Sequence, residues 1–306
     1  MEEPLIKVSN LVKKFKGTVA VDGISFDVKQ GECFGILGPN GAGKTTTVRI
    51  IHCVSPATSG LATVAGIKCH VDDTAIKKMT GVIPQENLLD SDLTVLENLS
   101  IFSEFFDIPK IESKPRILEL LKFVELEDKL NSKIDELSTG MKRRLMVAKA
   151  LVNKPKIIIC DEPTTGLDPQ ARHMIWQRLR SLKRQGTTII LTTQYMEEAE
   201  QLCDRLVIMH KGRILKEGDP QKLVREEIGR EVIEIRLSGE EEKKVMDLLS
   251  GVAFNHERAG DTFYIYCDDC SATMQKLLSL NLLNVLHRPA GLEDVFLKLT
   301  GRSLTE

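Results

Sequence analysis

Apolar residues along this chain change their spacing several times, and each change marks a different kind of element. Ile6 and Val8, then Val19, Val21, Ile24, Phe26 and Val28, alternate with polar neighbours as strands with one buried face do. Residues 33–37 (CFGIL) and 157–160 (IIIC) are unbroken apolar runs, short enough for strands buried on both faces. Residues 61–65 and 81–83 fit two further strands. From Thr94 the period lengthens. Val95, Leu96, Leu99, Phe102, Phe105 and Phe106 form a helix-period face opened by Thr94 and Glu97 at capping-box spacing and closed by Ile108-Pro109. Helices also fit 111–124 and 139–152, so this stretch reads as a helical insertion in an α/β pattern. Alternation then resumes. A helix starts at Asp168-Pro169 and stops near Gly186, and strand, helix and strand follow at 187–191, 196–202 and 206–209, with a turn at Lys211-Gly212 into 213–216.

Gly218-Asp219-Pro220 reads as a boundary, which divides the chain into a region 1–223 and a smaller region 224–306. The second region offers a strand at 232–237, a helix at 240–249, strands at 252–254 and 262–267 around a hairpin turn, a helix at 273–280 and a strand at 282–287. That order, β-α-β-β-α-β, is the split pattern of a ferredoxin-like α+β domain; an irregular tail is the alternative. A last amphipathic helix fits 292–299.

Composition narrows the function classes. With 306 residues, 28% charged, 42% hydrophobic and a formal net charge of -2, the chain has room for about two cores and no basic excess that would suit nucleic acid. No apolar run approaches the ~18 residues of a membrane span, so any membrane role needs another chain. Seven cysteines, an odd number mostly set in apolar segments, suggest reduced thiols. Cys267 and Cys270 form C-x-x-C, but without a second pair or a neighbouring histidine the spacing is weak evidence for metal or redox work.

Chemistry concentrates in two places. Gly38, Pro39, Asn40, Gly41, Ala42, Gly43, Lys44, Thr45 and Thr46 match G-x-x-x-x-G-K-[ST] between a buried-strand run and a helix. Glycines let backbone N–H groups form an anion-binding nest, and the helix N-terminus adds its positive end. A triphosphate fits there, with Lys44 on its β and γ phosphates and the Thr45 hydroxyl on Mg²⁺. Asp161 and Glu162 close the apolar run 157–160 at the carboxyl edge of a presumed parallel sheet, where ligands bind in open α/β folds. Asp161 suits the metal, and Glu162 suits a general base for attacking water. Phe15 is either core or a face on which a base stacks.

GPNGAGKTT, CDEP and LSTGMKRRL (Leu137 onward) resemble the Walker A, Walker B and signature motifs of ABC transporter ATP-binding subunits, over roughly 5–223. The resemblance implies a P-loop NTPase cassette, a mixed sheet core with antiparallel strands and a helical subdomain at 87–152, followed by the small C-terminal α+β domain. It places Gln85 as the glutamine that meets Mg²⁺ and couples to a permease, Phe15 as the adenine-stacking aromatic, and Asp168 in the dimer-facing D-loop. The signature segment Leu137, Ser138, Thr139, Gly140 and Met141 would face the ATP of a partner cassette. Thr139 and Met141 replace a glycine and a glutamine, while Ser138 and Gly140 keep a hydroxyl and N–H groups at a helix start. Gln194 stands where the family has a histidine beside the γ-phosphate. It can donate a neutral hydrogen bond but cannot carry charge.

The implied protein is a Mg²⁺-dependent ATPase at the cytoplasmic face of a membrane. It pairs as a homodimer or with a second ATP-binding subunit and drives a separate integral membrane permease. LTTQYMEEAE and LEDVFLKLTG are most similar to drug-resistance, daunorubicin-type exporters of hydrophobic compounds. Another class, non-transport ABC ATPases acting on nucleic acid or the ribosome, should show a long heptad insertion before Leu137 or a second phosphate loop. Neither is present in this sequence.

Overall fold

The computed structural model describes residues 3–237, 239–249, 255–280, 282 and 284–301. The chain divides into two compact units, the first ending at Glu217. β1 (Ile6–Phe15), β2 (Thr18–Val28) and β3 (Cys33–Leu37) lead into α1 (Lys44–Ile51), and β4 (Ser59–Val64), β5 (Ile67–Lys68), α2 (Asp73–Lys78) and β6 (Thr80–Ile83) follow. The helical stretch is α3 (Val95–Glu104), α4 (Lys110–Phe123) and α5 (Thr139–Ala150), which pack on one another. β7 (Ile157–Asp161), α6 (Pro169–Arg184), β8 (Thr188–Thr193), α7 (Met196–Leu202), β9 (Arg205–His210) and β10 (Arg213–Gly218) close the unit.

Two sheets build its core. An antiparallel sheet has the order β2-β1-β4-β5, and a six-stranded sheet has the order β10-β9-β3-β8-β7-β6, in which β9, β3, β8, β7 and β6 run parallel. β3, β7 and β8 are buried at every position, as the unbroken apolar runs of β3 and β7 require of strands covered on both faces. That strand order decides the function. β8 lies between β3 and β7, so the carboxyl ends of all three meet although 161 and 37 are far apart in sequence. Asp161 pairs with Thr192, and Leu37 with Thr193.

Helix ends follow their caps. Thr94 and Glu97 form the expected reciprocal box, Ser138 caps α5, and Asp168 caps α6 with Pro169 in its first turn. β5 and α2 had no sequence signal, since a two-residue strand and a six-residue helix with only Ile76 buried are too short to show a period.

The second unit begins with α8 (Pro220–Glu227), capped by Asp219. Gly218-Asp219-Pro220 is both the division between the units and a cap-proline helix start. β11 (Glu231–Arg236), α9 (Gly239–Leu249), β12 (Asn255–Ala259), β13 (Thr262–Cys267), α10 (Ser271–Leu278), β14 (Val285–Pro289) and α11 (Leu292–Thr300) complete it. The sheet order β12-β13-β11-β14, antiparallel throughout, is the ferredoxin-like arrangement, and the irregular-tail alternative is excluded. The strand expected at 252–254 lies outside the described residues. Arg288 holds α11 to β14 through paired bonds of 2.7 and 2.8 Å to the fully buried Asp294, which raises the guanidinium pKa.

One expectation is corrected. Cys267 and Cys270 are joined as a disulfide, because the end of β13 turns directly into α10 and leaves their Cα atoms 5.5 Å apart, within bridging range. Cys33, Cys53, Cys69, Cys160 and Cys203 are free and buried.

Candidate nucleotide site

At two positions of the loop after β3 a side chain would not fit. A Cβ at Gly38 would stand 2.3 Å from the Met209 carbonyl oxygen, and one at Gly43 would stand 2.4 Å from that of Ala20. Gly43 also has φ +102°, a region L side chains avoid. The Gly38 N–H donates to the Thr193 carbonyl at 3.1 Å, which ties the loop to the end of β8. α1 starts at Lys44 with no side-chain cap and no acidic residue in its first turn, so the amide end of this helix faces the loop uncompensated.

Lys44 is buried, and its ammonium has three neighbours: the carbonyls of Gly38 at 2.9 Å and Pro39 at 3.1 Å, and Glu162 Oε1 at 3.1 Å. The phosphate-loop lysine and the candidate base therefore form a buried ion pair across two strands. Thr45 Oγ1 donates to Asp161 Oδ1 at 3.0 Å, and Thr192 Oγ1 donates to the same oxygen at 2.5 Å. A hydroxyl and a carboxylate side by side are the hard oxygen donors that Mg²⁺ takes, so these residues fit the ion.

Glu162 adopts the left-handed conformation, φ +47°, which is uncommon for a residue with a side chain. Three backbone contacts impose it. Its N–H reaches the Thr192 carbonyl at 3.0 Å and the Thr192 hydroxyl at 3.1 Å, and its carbonyl accepts from Arg143 Nη2 at 2.9 Å. The carboxylate is fixed as well, with Gln85 Nε2 and Thr165 Oγ1 each 3.2 Å from Oε2. Backbone strain stored at a carboxylate held from both sides is a mark of a functional position.

Arg143 joins three segments, donating to the carbonyls of Pro84, Gln85 and Glu162 from the signature helix α5. Burial lowers its pKa, with the charges of Cys160, Glu198 and Asp161 working the other way. Nothing in the sequence singled it out among the basic residues of LSTGMKRRL, because its partners are main-chain atoms of distant loops. Glu198 on α7 is a second such residue. It is fully buried, and its Oε1 accepts from Thr164 Oγ1 at 2.8 Å and Trp176 Nε1 at 2.9 Å, joining α7 to the segment after Glu162 and to α6. Burial pushes its carboxyl up, and hydrogen bonds from Thr193, Trp176 and Thr164 oppose the rise.

Gln194 is half-buried at a bend immediately after Thr193, the residue whose carbonyl holds Gly38. Phe15 is 53% exposed at the end of β1 with the Lys13 ammonium over its ring, 5.0 Å from the centroid, which excludes the core alternative. Asp168 caps α6 through the Ala171 N–H at 2.9 Å. Ser138 caps α5 through the Met141 N–H at 3.3 Å, while Leu137 precedes it and Thr139 and Gly140 occupy the first turn. Beside the phosphate loop a cavity of about 450 Å³ runs from Thr45, Gln85 and Asp161 to the apolar Phe102, Phe106 and Met146 of the helical stretch. His52 lines it as well, its pKa lowered to about 4 by burial and then by Lys77.

A parallel sheet with a glycine loop and two carboxylates at its carboxyl edge, a helical insertion carrying Ser138, and an antiparallel sheet at its side define an ABC-type ATP-binding cassette. The ABC transporter family profile matches residues 21–165, and that of the C-terminal domain of the nodulation factor export protein NodI matches 242–301. The Nod factor export ATP-binding protein I of Burkholderia orbicola is 46% identical over 301 residues, 98% of each chain. The chain belongs to this family of ATP-binding subunits of ABC transporters. Among solved structures, a dimeric ATP-binding cassette in a post-hydrolysis state with ADP and Pi is 32% identical with a TM-score of 0.65, over 70% of this chain and 98% of that one. A Clostridium perfringens chain, part of the ABC transporter complex cbiONQ, is 27% identical with a TM-score of 0.67, over 82% of this chain and 96% of that one. The cassette binds ATP with Mg²⁺ and hydrolyses it. Among the described residues no helix is long and apolar enough to cross a membrane.

Proposed function

We propose that this chain is the energy-supplying subunit of an exporter, working as a pair of cassettes beneath a separate polytopic permease at the cytoplasmic face of the membrane. The observation that carries the reading is the arrangement around Glu162. The base candidate is bonded to Lys44 of the phosphate loop and to Gln85, and its backbone is held by Arg143 of the signature helix. A load applied to the helical stretch therefore reaches the water-activating carboxylate through Arg143 and Gln85. The same Gln85 lines the 450 Å³ cavity whose apolar wall suits an inserted helix of the permease.

Within the site, the Gly38–Thr46 backbone and Lys44 hold the phosphates, and Phe15 carries the base. Thr45 and Asp161, with Gln85 beside them, would hold Mg²⁺, which when bound neutralises phosphate charge. Glu162 orients and deprotonates the attacking water. Leu137 to Met141 present the α5 N-terminus to the partner's γ-phosphate, and Asp168 lies near that interface. Neither half surrounds the γ-phosphate alone, so ATP favours the closed pair and shifts the population toward it.

The cargo reading rests on kinship. The relatives' name makes Nod factor the first cargo to test, and the likeness of the C-terminal LEDVFLKLTG to drug-exporter ATPases makes a hydrophobic drug the second. The test is affinity capture of the tagged chain from detergent-solubilised membranes, followed by ATPase assays of the recovered complex. A polytopic protein should come with it, and the right cargo should raise the ATPase rate. Recovery with ribosomes or nucleic acid instead would overturn transport in favour of the non-transport class.

Gln194 tests the phosphate end of the site. A neutral amide hydrogen bond contributes about 0.5–1.5 kcal/mol, so Gln194→Ala should slow ATP hydrolysis roughly tenfold. Gln194→His should recover the rate and add an inflection near pH ~6.5, where imidazole titrates and an amide does not. A pH-rate profile of the three proteins decides it. A rate for Gln194→Ala equal to the parent's would mean that the side chain does not meet the phosphate.

A further inference from the structure

Cys267-Asp-Asp-Cys270 spans the end of β13 and the start of α10, and C-x-x-C supplies only half the ligands of a tetrahedral metal site. The sheet brings the other half. Glu231 opens the central strand β11, where it pairs with Cys267 of β13 on one side and with Pro289 of β14 on the other. His287 lies two residues along β14 from Pro289, on the diagonal that long side chains span across neighbouring strands. The contact is made. His287 Nε2 is 3.0 Å from Glu231 Oε2, and the same oxygen accepts from the Cys270 N–H at 2.8 Å. Ligand atoms of Glu231, Cys270 and His287 all lie within 4.8 Å of one another. Cys267 Sγ is bonded to Cys270 Sγ and so lies beside this group.

We propose that Cys267 and Cys270, once reduced, form with His287 and Glu231 a site for one Zn²⁺ or similar borderline-soft divalent cation, and that the disulfide is the metal-free alternative of the same site. The donor set argues for the class of ion. Two thiolates and an imidazole select zinc-like metals over Mg²⁺ and Ca²⁺, which take oxygen. Tetrahedral zinc with bonds of about 2.0–2.3 Å keeps its ligands about 3–4 Å apart, so side-chain movements of about 1 Å close the site. Cys270 is fully buried, whereas Glu231 and His287 are about one-third exposed, so the site has a packed floor and an open side through which an ion enters.

The two forms exclude each other because they use the same sulfur atoms. A thiol or phosphine reductant breaks the S–S bond by delivering two electrons, two protons complete the thiols, and the reductant leaves oxidised. The cation then displaces those two protons and binds two thiolates. Metal bound this way ties the central strand β11 to the β13–α10 turn and to the edge strand β14, across three strands. The disulfide ties only the turn to itself.

The test uses the full-length chain reduced with a phosphine, freed of reductant without air, and titrated with Co²⁺ as a spectroscopic stand-in for Zn²⁺. One equivalent should bring a thiolate-to-cobalt charge-transfer band and the strong visible bands of a tetrahedral ion, both removed by Zn²⁺. The phosphate-loop site, with oxygen donors, gives no such band, and single variants separate the site from the other five cysteines. Cys270→Ser should abolish the band, and the oxidised chain should never show it. His287→Ala, at a partly exposed position on an edge strand, should keep the fold and weaken Co²⁺ binding at least tenfold, with ATP affinity unchanged as the control. A reduced chain, verified by thiol titration, that gives no charge-transfer band would overturn the site. So would a band whose strength and affinity His287→Ala and Glu231→Gln leave untouched, since the cysteines would then be binding without the strands.

Discussion

Glu162→Gln should slow ATP hydrolysis by about 10²–10⁴-fold while leaving nucleotide binding in place. The substitution is close to isosteric, and the backbone contacts that fix position 162, from Thr192 and Arg143, involve no carboxylate. Glutamine's carbonyl oxygen can still accept from Gln85 or Thr165. What disappears is the proton acceptor and the charge opposite Lys44. ATP then stays intact between two cassettes, so the variant with ATP and Mg²⁺ should run at the mass of a pair by light scattering, and the parent should return to one chain after turnover. A parent-like rate would remove Glu162 from the chemistry. A single-chain mass would count against the paired arrangement.

Lys44→Ala should weaken ATP binding by one to two orders of magnitude or more, since hydrogen bonds to charged groups are worth about 1.5–3 kcal/mol and about 1.4 kcal/mol is tenfold in affinity. It should also destabilise the fold. Lys44 is the ion-pair partner of a carboxylate that is 4% exposed, and breaking a buried pair from one side typically costs about 3–5 kcal/mol. The two effects separate in a double-mutant cycle. Adding Glu162→Gln to Lys44→Ala should recover much of the thermal stability and none of the affinity, because the first depends on the pair and the second on the ammonium. Calorimetric titration with ATP and thermal unfolding of the three variants are the measurements. Parent-like binding by Lys44→Ala would show that the loop does not hold phosphate.

Parts of the molecule set by neighbours along the chain were legible in advance. The phosphate loop is a strand, nine consecutive residues and a helix start, so its backbone geometry follows from the residues themselves. Caps at Thr94, Ser138 and Asp168 likewise involve partners three residues away. The buried runs of β3 and β7 pointed to a parallel sheet because strands covered on both faces leave no polar alternation. Gly218-Asp219-Pro220 marks the division between the two units, and the same tripeptide starts α8, because a turn signal and a cap-proline helix start share these residues.

By itself, then, the sequence determined a phosphate loop, a helical insertion and the pattern of a second α+β unit through local period, capping and loop chemistry, and the ABC cassette through the resemblance of its three motifs. Tertiary structure decided the rest. Strand order places Thr192 between Thr45 and Glu162 and lets a lysine at 44 meet a carboxylate at 162, and no local rule carries the order of strands in a sheet. Arg143 gained its role from carbonyls that any residues at 84, 85 and 162 would offer, so no residue type signalled it. Cys267 and Cys270 looked isolated because their histidine and glutamate lie on other strands. Antiparallel register, fixed by which faces are buried, brought Glu231 and His287 to them.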